Sequence, residues 1–267
     1  MTAKDLAGKT ALVTGGGTGL GKGIAMELAR RGATVVIASR KLEHLEGAAN
    51  EILEATGATV FAMPTDVRDS ARVEKLIGDI VTQCGSIDIL VNNAAGNFVV
   101  PSEELTPNGW NAVIGIVLNG TWYCSSFAGK QMIKQGGGTI LNIIATFAWT
   151  GAPGVVHSAS AKAGVLAMTR TLAAEWGKYN IRVNALAPGV LLTEGASKNL
   201  LFDTAEAQKK ILGKIPLKRF ATVEEVAKLS VLLCSDDSSY ITGDVMTVDG
   251  GRWLNNSEGF LDLLKNG

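Results

Sequence analysis

Five glycines between residues 15 and 21 follow a short apolar run and precede an amphipathic pattern, in the stretch ALVTGGGTGLGKG. Glycines at this spacing let the chain turn sharply, bring its backbone close to a ligand and pack a helix on a strand. The unpaired N–H groups at the start of that helix favour an anion. The segment therefore predicts a turn that binds the pyrophosphate of a dinucleotide. Its predicted cofactor contacts are Gly15, Gly17, Thr18, Gly19, Leu20 and Gly21.

The next apolar run, Thr34–Ser39, leads into Arg40 and Lys41. A dinucleotide fold that prefers NAD usually carries an acidic residue here, which binds the ribose hydroxyls. A guanidinium instead pairs with a 2′-phosphate and stacks on adenine. We therefore predict NADP as the cofactor, with Ser39 and Arg40 as contacts. The alternative for Arg40 is a solvated surface charge.

A third candidate group is Ser158 and Lys162 in the stretch HSASAKAG. Residues four apart share one helix face, so both side chains can lie at one cavity. The alternative for Ser158 is a cap on the following helix, because serine accepts hydrogen bonds from free N–H groups. His157 is a possible acid, but a turn histidine bonded to backbone is the favoured interpretation.

Strand and helix patterns alternate along the whole chain. This alternation favours a parallel sheet with helices on both faces and right-handed crossovers. The fold class we predict is α/β, a Rossmann-type doubly wound parallel sheet in a single domain over residues 1–267. The predicted strands are Ala11–Val13, Thr34–Ser39, Thr59–Met63, Ile87–Asn93, Thr139–Ala145, IRVNALAP and DVMTVDGG. The predicted helices follow the glycine turn and cover Lys41–Thr56, Ala71–Gln83, Asn108–Gln135, Ser158–Lys178 and Val223–Cys234.

One irregular insertion, Leu191–Pro216, separates a strand end from the next helix. Ligands of such sheets bind beyond the carboxyl ends of the strands, so we predict a substrate lid here. An ordinary connecting loop with a short helix is the alternative.

Charge and cysteine content limit the classes of partner and ligand that we expect for this protein. Lys plus Arg and Asp plus Glu each number 25, so no overall field attracts nucleic acid or an anionic membrane. Cys84, Cys124 and Cys234 are odd in number and widely spaced, which favours reduced thiols and argues against a metal site. The first ten residues show no apolar signal core, so we expect a cytoplasmic protein.

Four motifs in this order resemble the short-chain dehydrogenase/reductase family. They are the glycine turn preceded by Thr14, Asp66-Val67, NNAAG, and Pro188-Gly189-Val190 with Thr193. The resemblance implies an adenine contact at Asp66 and Val67, and a turn after the fourth strand. It also implies a loop on the nicotinamide side and a ribose contact by Lys162. The further cofactor residues it implies are Asn93, Ala94, Pro188, Gly189, Val190 and Thr193.

The catalytic segment departs from the usual family pattern. Ser158 stands where most members carry the tyrosine acid, and the fifth strand lacks the family's serine. Val117 occupies the usual asparagine position, with Asn119 two residues later. The chain therefore lacks the tyrosine that serves as the acid in ordinary carbonyl reduction.

These departures coincide with one branch, because the chain resembles the NADPH-dependent 2,4-dienoyl-CoA reductases in NNAAGNF, IVLNGT, VVHSASAKAGV and LAAEWGKY. The resemblance implies hydride addition to the distal end of a conjugated diene. A proton from a bound water then reaches the α carbon and gives a 3-enoyl-CoA, as in the β-oxidation of unsaturated fatty acids. Asn119 and Ser158 are the candidate polar contacts, and the cationic Lys162 lowers the energy of nearby negative charge.

The acyl-CoA substrate implies further contacts and alternatives. Phe98, Phe147 and Trp149 are candidate walls of the acyl pocket, with aromatic core packing as the alternative. Arg68 is a candidate contact of a CoA phosphate, with a surface ion pair as the alternative.

The family is commonly tetrameric, so we expect a homotetramer. Two other functions stay open: a reductase of 2-enoyl-CoA or another unsaturated thioester, and an NADP-binding protein without turnover.

Overall fold

In the computed structural model, residues 4–193, 200, 202 and 204–254 are described. The β-branched and apolar runs form seven strands of one parallel sheet in the order β3-β2-β1-β4-β5-β6-β7. In the centre of the sheet, Leu12 lies between Val36 and Leu90. The strands are β1 Thr10–Thr14, β2 Thr34–Ser39, β3 Val60–Pro64, β4 Ile89–Asn92, β5 Gly138–Ile143, β6 Ile181–Pro188 and β7 Val245–Val248.

Helices connect the strands and cover both faces of the sheet. They are α1 Gly19–Arg30, α2 Leu42–Thr56, α3 Ser70–Cys84, α4 Pro107–Ile114, α5 Gly120–Gln135, α6 Phe147–Thr150, α7 Val156–Trp176, α8 Ala205–Gly213 and α9 Val223–Cys234. Side-chain hydrogen bonds to the backbone stabilise the first turn of two of these helices. Asp69 accepts hydrogen bonds from the N–H groups of Ala71 and Arg72 at the start of α3, and Thr222 and Glu225 form a capping box at the start of α9.

Two apolar layers hold the helices to the sheet. On one face the buried residues of β1 and β2 pack against α1, α2 and α9, with Ile24, Leu45 and Val231 fully buried. On the other face α3, α5 and α7 form the second layer, which contains Ile80 and Met132. Burial on both faces explains why the strands are almost wholly apolar. The predicted fold class is confirmed.

The predicted helical segment Asn108–Gln135 is confirmed as continuous helix, but it is not α-helical throughout. The structure has α4, then a π-helical segment Gly115–Asn119, then α5. The widened turn carries hydrogen bonds between residues five apart, a geometry often found at functional sites. A Cβ on Gly120 would lie 2.7 Å from Cγ2 of Val67, so the helix passes close to the end of β3.

The short helix α6 was not among the predicted elements, whereas α8 matches the short helix of the alternative interpretation of Leu191–Pro216. Helix α8 lies inside Leu191–Pro216, the predicted lid. Residues 194–199, 201 and 203 of that segment lie outside the described residues. On its described part, Leu191 forms a parallel β-bridge with Ala221, which brings the segment's beginning beside the start of α9. The lid and the single-domain boundaries stay predictions.

Candidate active site

The glycine turn is tied to the end of β4 by Thr14 and Asn93. The Thr14 hydroxyl accepts hydrogen bonds from the N–H groups of Asn93 and Ala94, both at 3.0 Å. The Asn93 amide donates to the carbonyls of Thr14 and Gly15, at 3.0 and 3.2 Å. The turn needs glycine because Gly15 and Gly19 have φ of 65° and 51°. No side chain of the described residues caps α1, which leaves its first turn suited to bind an anion.

A cavity of about 410 Å³ adjoins this turn. Arg40 and Lys41, which follow β2, and His44 in the first turn of α2 lie along it. It also contains Ser39, and it is large enough for part of an adenosine phosphate. Eight predicted cofactor residues meet there: Gly15, Gly17, Thr18, Ser39, Arg40, Asp66, Val67 and Ala94.

Arg68 forms an ion pair with Asp66 beside the cavity. Its guanidinium approaches the carboxylate at 2.5 Å, and this contact, together with a backbone hydrogen bond, holds the pKa of Asp66 below its ordinary value. The ion pair predicted as the alternative for Arg68 is therefore present. A phosphate contact by Arg68 stays a prediction.

The loop after β6 lies next to both the turn and β7. Gly189 donates its N–H to the carbonyl of Val248 at 2.8 Å, and a Cβ on Gly189 would lie 2.7 Å from the α carbon of Asp249. A Cβ on Gly19 would lie 3.4 Å from Cγ2 of Thr193. The Pro188–Thr193 loop and the glycine turn are therefore neighbours, as a dinucleotide site requires.

Lys162 is a buried cation on α7. Its ammonium donates a hydrogen bond of 2.5 Å to the carbonyl of Ile143, the last residue of β5. Burial lowers the pKa of Lys162 to about 8. Ser158 lies one turn earlier on the same face and is 3% exposed. The capping alternative for Ser158 is wrong, because α7 begins at Val156 and no side chain caps it.

His157 is fully buried in the first turn of α7, and its ring meets Phe98 edge to face at 4.4 Å. Within the described residues, neither imidazole nitrogen has a hydrogen-bond partner of good geometry. Burial lowers the pKa of His157, and a weak contact with the backbone of Val155 offsets only part of this. The interpretation as a turn histidine is wrong, since the residue is helical.

Asn119 lies at the end of the π-helical segment and is exposed, whereas Val117 is 1% exposed and packs in the core. A second amide, missed by sequence reasoning, lies in the loop after β4 next to a residue that contacts α7. Asn97 follows β4, and its side-chain oxygen accepts a 2.9 Å hydrogen bond from the N–H of Phe98, whose ring packs on His157. Its position in the stretch NNAAGNF was the available signal.

A buried amide pair joins the elements beneath the site. Asn92 donates to Ser125 and to the side-chain oxygen of Asn142, and Asn142 donates to Thr169, each at 2.9 Å. These bonds connect β4 and β5 with α5 and α7. They fix the strand whose last carbonyl holds Lys162. The sequence signal was a polar residue within each of two apolar strands.

The predicted aromatic walls are divided between two places. Phe98 packs partly into the apolar cluster under α7, and Phe147 and Trp149 lie on α6, directly after β5. Trp149 meets Trp253 edge to face, with ring centroids 5.9 Å apart. No group of three His, Cys, Asp or Glu that could hold a metal ion was found among residues 4–193, 200, 202 and 204–254. The same described part contains no helix long and apolar enough to cross a bilayer.

The parallel sheet, the glycine turn and the adjoining basic cavity define a dinucleotide-binding α/β protein. The family model described as "Enoyl-(Acyl carrier protein) reductase" matches residues 15–252. The chain belongs to the short-chain dehydrogenase/reductase family, and it is an oxidoreductase with a nicotinamide cofactor.

Named relatives agree with this assignment. The chain is 48% identical over 249 residues to a probable 2,4-dienoyl-CoA reductase [(2E)-enoyl-CoA-producing] of Bacillus subtilis, covering 92% of this chain and 97% of the relative. It is 38% identical to a peroxisomal 2,4-dienoyl-CoA reductase [(3E)-enoyl-CoA-producing] of Mus musculus, covering 96% and 88%. A crystal structure of a short chain dehydrogenase from Bacillus anthracis is similar with a TM-score of 0.85 at 49% identity, covering 94% and 99%.

Proposed function

We propose that this protein reduces 2,4-dienoyl-CoA thioesters to 3-enoyl-CoA with NADPH, in the β-oxidation of unsaturated fatty acids. The observation that carries the proposal is a buried lysine cation beside Ser158 at a site without a tyrosine. The chain's three tyrosines lie elsewhere: Tyr123 on α5, Tyr179 before β6 and Tyr240 after α9. The two relatives named as dienoyl-CoA reductases support the substrate class.

Bound NADPH would supply a hydride to the distal end of the diene. Negative charge would then reach the thioester oxygen, where the Lys162 ammonium would lower its energy and the Ser158 hydroxyl would donate a hydrogen bond. The proton goes to the α carbon from a water, which yields the 3-enoyl product. Protonation at the γ carbon would yield the 2-enoyl product instead, and the relatives' names divide on this point.

Asn97 is the amide that we assign to the developing charge, in place of Asn119. The N–H of Phe98 fixes the side-chain oxygen of Asn97, which orients its amide donors, whereas Asn119 is exposed. Loss of one oxyanion donor costs about 10²–10³ in kcat. We expect Asn97→Ala to show this loss and the matched Asn119→Ala to retain most activity. The reverse ranking would restore Asn119 to this role.

The cofactor preference rests on Arg40 and Lys41 in the basic part of the adenosine cavity. A hydrogen bond to a charged group is worth about 1.5–3 kcal/mol, so Arg40→Ala should lower kcat/KM for NADPH roughly 10- to 100-fold and leave that for NADH unchanged. Arg72→Ala, which changes an exposed arginine on α3, is the control. Equal losses with both cofactors would contradict the NADP assignment.

The deciding experiment follows NADPH oxidation with a 2,4-dienoyl-CoA, a matched 2-enoyl-CoA and a matched 3-oxoacyl-CoA, and locates the double bond in the product. Selective turnover of the diene to a 3-enoyl-CoA is the expected result. Reduction of the 2-enoyl-CoA would favour the second candidate, an enoyl thioester reductase, which the description of the family model supports. NADPH binding without turnover would indicate a non-catalytic NADP-binding protein.

We also propose that the protein is cytoplasmic and that it assembles as a homotetramer. The three cysteines are free thiols, and burial raises the pKa of Cys124 and Cys234 to about 12, which suits a reducing compartment such as the cytoplasm. We propose the homotetramer that the family resemblance implies, with α5 and α7 as the expected interface. Size-exclusion chromatography with light scattering tests the assembly.

A further inference from the structure

Trp149 and Trp253 form an aromatic pair that sequence reasoning did not predict. Their rings are nearly perpendicular, at 87°, and their side chains are 37% and 36% exposed. Edge-to-face geometry at this distance adds stability beyond simple burial. About a third of each indole therefore stays open to a ligand.

A tightly bonded turn holds Trp253 in place. Both carboxylate oxygens of Asp249 accept backbone hydrogen bonds, from Gly251 at 2.9 Å and from Trp253 at 2.7 Å. Gly250 and Gly251 have φ of 64° and 83°, which only glycine adopts readily. The α carbon of Asp249 in turn lies against Gly189. The position of Trp253 is therefore coupled to the loop expected to hold the nicotinamide.

The strand order places the pair over the site. Trp149 follows β5 and Trp253 follows β7, while β6 lies between these two strands. Because the two rings follow strands on either side of β6, they can meet only across the carboxyl end of β6. That strand ends at Pro188, where the nicotinamide-side loop begins. The pair consequently lies at the edge of the sheet where ligands of this fold bind.

We propose that the Trp149–Trp253 pair is the surface on which the acyl chain beyond the diene packs, and that it sets the chain-length preference. This inference rests on the proposed function. The partly exposed apolar faces of an edge-to-face indole pair suit an alkyl chain, because each buried methylene adds about fourfold in affinity. Trp253 would then be a specificity residue that contacts substrate away from the reacting atoms.

The test measures kcat/KM for a series of 2,4-dienoyl-CoA thioesters of increasing chain length. Wild type should gain up to about fourfold per methylene until the chain passes the pair. Trp253→Ala should flatten this rise, keep the rate of the shortest substrate and keep the KM for NADPH. Trp253→Phe should retain part of the rise. It also serves as the second variant should Trp253→Ala fold poorly.

Tyr179→Ala is the matched control. Tyr179 is 38% exposed and lies just before β6, at the opposite edge of the sheet. It should leave the chain-length profile unchanged. An unaltered profile in Trp253→Ala and Trp253→Phe, or an equal loss at every chain length, would overturn the inference. Absence of dienoyl-CoA turnover in wild type would instead overturn the proposed function.

Discussion

Replacing His157 with leucine should make this protein more stable. The imidazole is fully buried and both its nitrogens lack a good partner among the described residues. An unsatisfied buried polar group costs about 1–3 kcal/mol, and the weak contact with the backbone of Val155 leaves one imidazole nitrogen fully unsatisfied. Loss of the ring contact with Phe98 removes about 0.5–1.5 kcal/mol. Taking the middle of each range, His157→Leu should raise the free energy of unfolding by about 1 kcal/mol.

The pH dependence of the free energy of unfolding provides a second test of this prediction. Burial lowers the pKa of His157, so near and below the ordinary value of about 6.5 the unfolded chain binds more protons than the folded one. Wild type should lose stability as the pH falls through this range. His157→Leu should not lose stability in this way. The difference in free energy of unfolding between the variant and the wild type should therefore increase at acidic pH.

The assay is denaturant unfolding without cofactor at neutral and mildly acidic pH. His44→Leu is the control, because the chain's only other histidine is exposed and its replacement should change stability by less than about 0.5 kcal/mol. Lower stability of His157→Leu at every pH would refute the reasoning. That result would mean that the nitrogens have partners in solution worth more than their burial costs.

Three further outcomes follow from the site geometry. Burial lowers the pKa of Lys162 to about 8, so its positive charge is lost above that pH. NADPH affinity should fall there, and Lys162→Met should bind weakly with no such pH dependence in a titration. A Cβ on Gly21 would lie 2.5 Å from the Asn93 amide, so Gly21→Ala should abolish most NADPH binding, whereas Gly78→Ala, with open space, should not. Asn142→Ala leaves buried polar partners unpaired and should cost about 1–3 kcal/mol in thermal unfolding; an unchanged Tm would contradict the network.

Features fixed by neighbours along the chain could be predicted from the sequence. The strand Thr34–Ser39 and the helix Val223–Cys234 have the predicted bounds. Their ends depend on adjacent residues, such as the capping box at Thr222. The glycine turn was predictable for the same reason, since its backbone requirement lies within seven residues.

Features that depend on distant contacts could not be predicted in this way. The helical period of Asn108–Gln135 reveals neither the π turn nor the close approach of Gly120 to Val67. Trp149 and Trp253 lie about a hundred residues apart and meet only because β6 separates β5 from β7. The choice of Asn97 over Asn119 as the proposed donor rests on the exposure of Asn119, and that exposure depends on the fold.

Loss of the tyrosine and retention of the lysine are consistent with a single change of reaction. A carbonyl reduced to an alcohol must end with a proton on oxygen, so its site needs an acid at that atom. A reduced dienoyl thioester regains its carbonyl and takes its proton at carbon, so the oxygen needs only donors and positive charge. Lys162, with a pKa of about 8, is charged at neutral pH, and Ser158 lies on the same helix face. A site with this cation and without the tyrosine is therefore suited to conjugate reduction and poorly suited to making an alcohol.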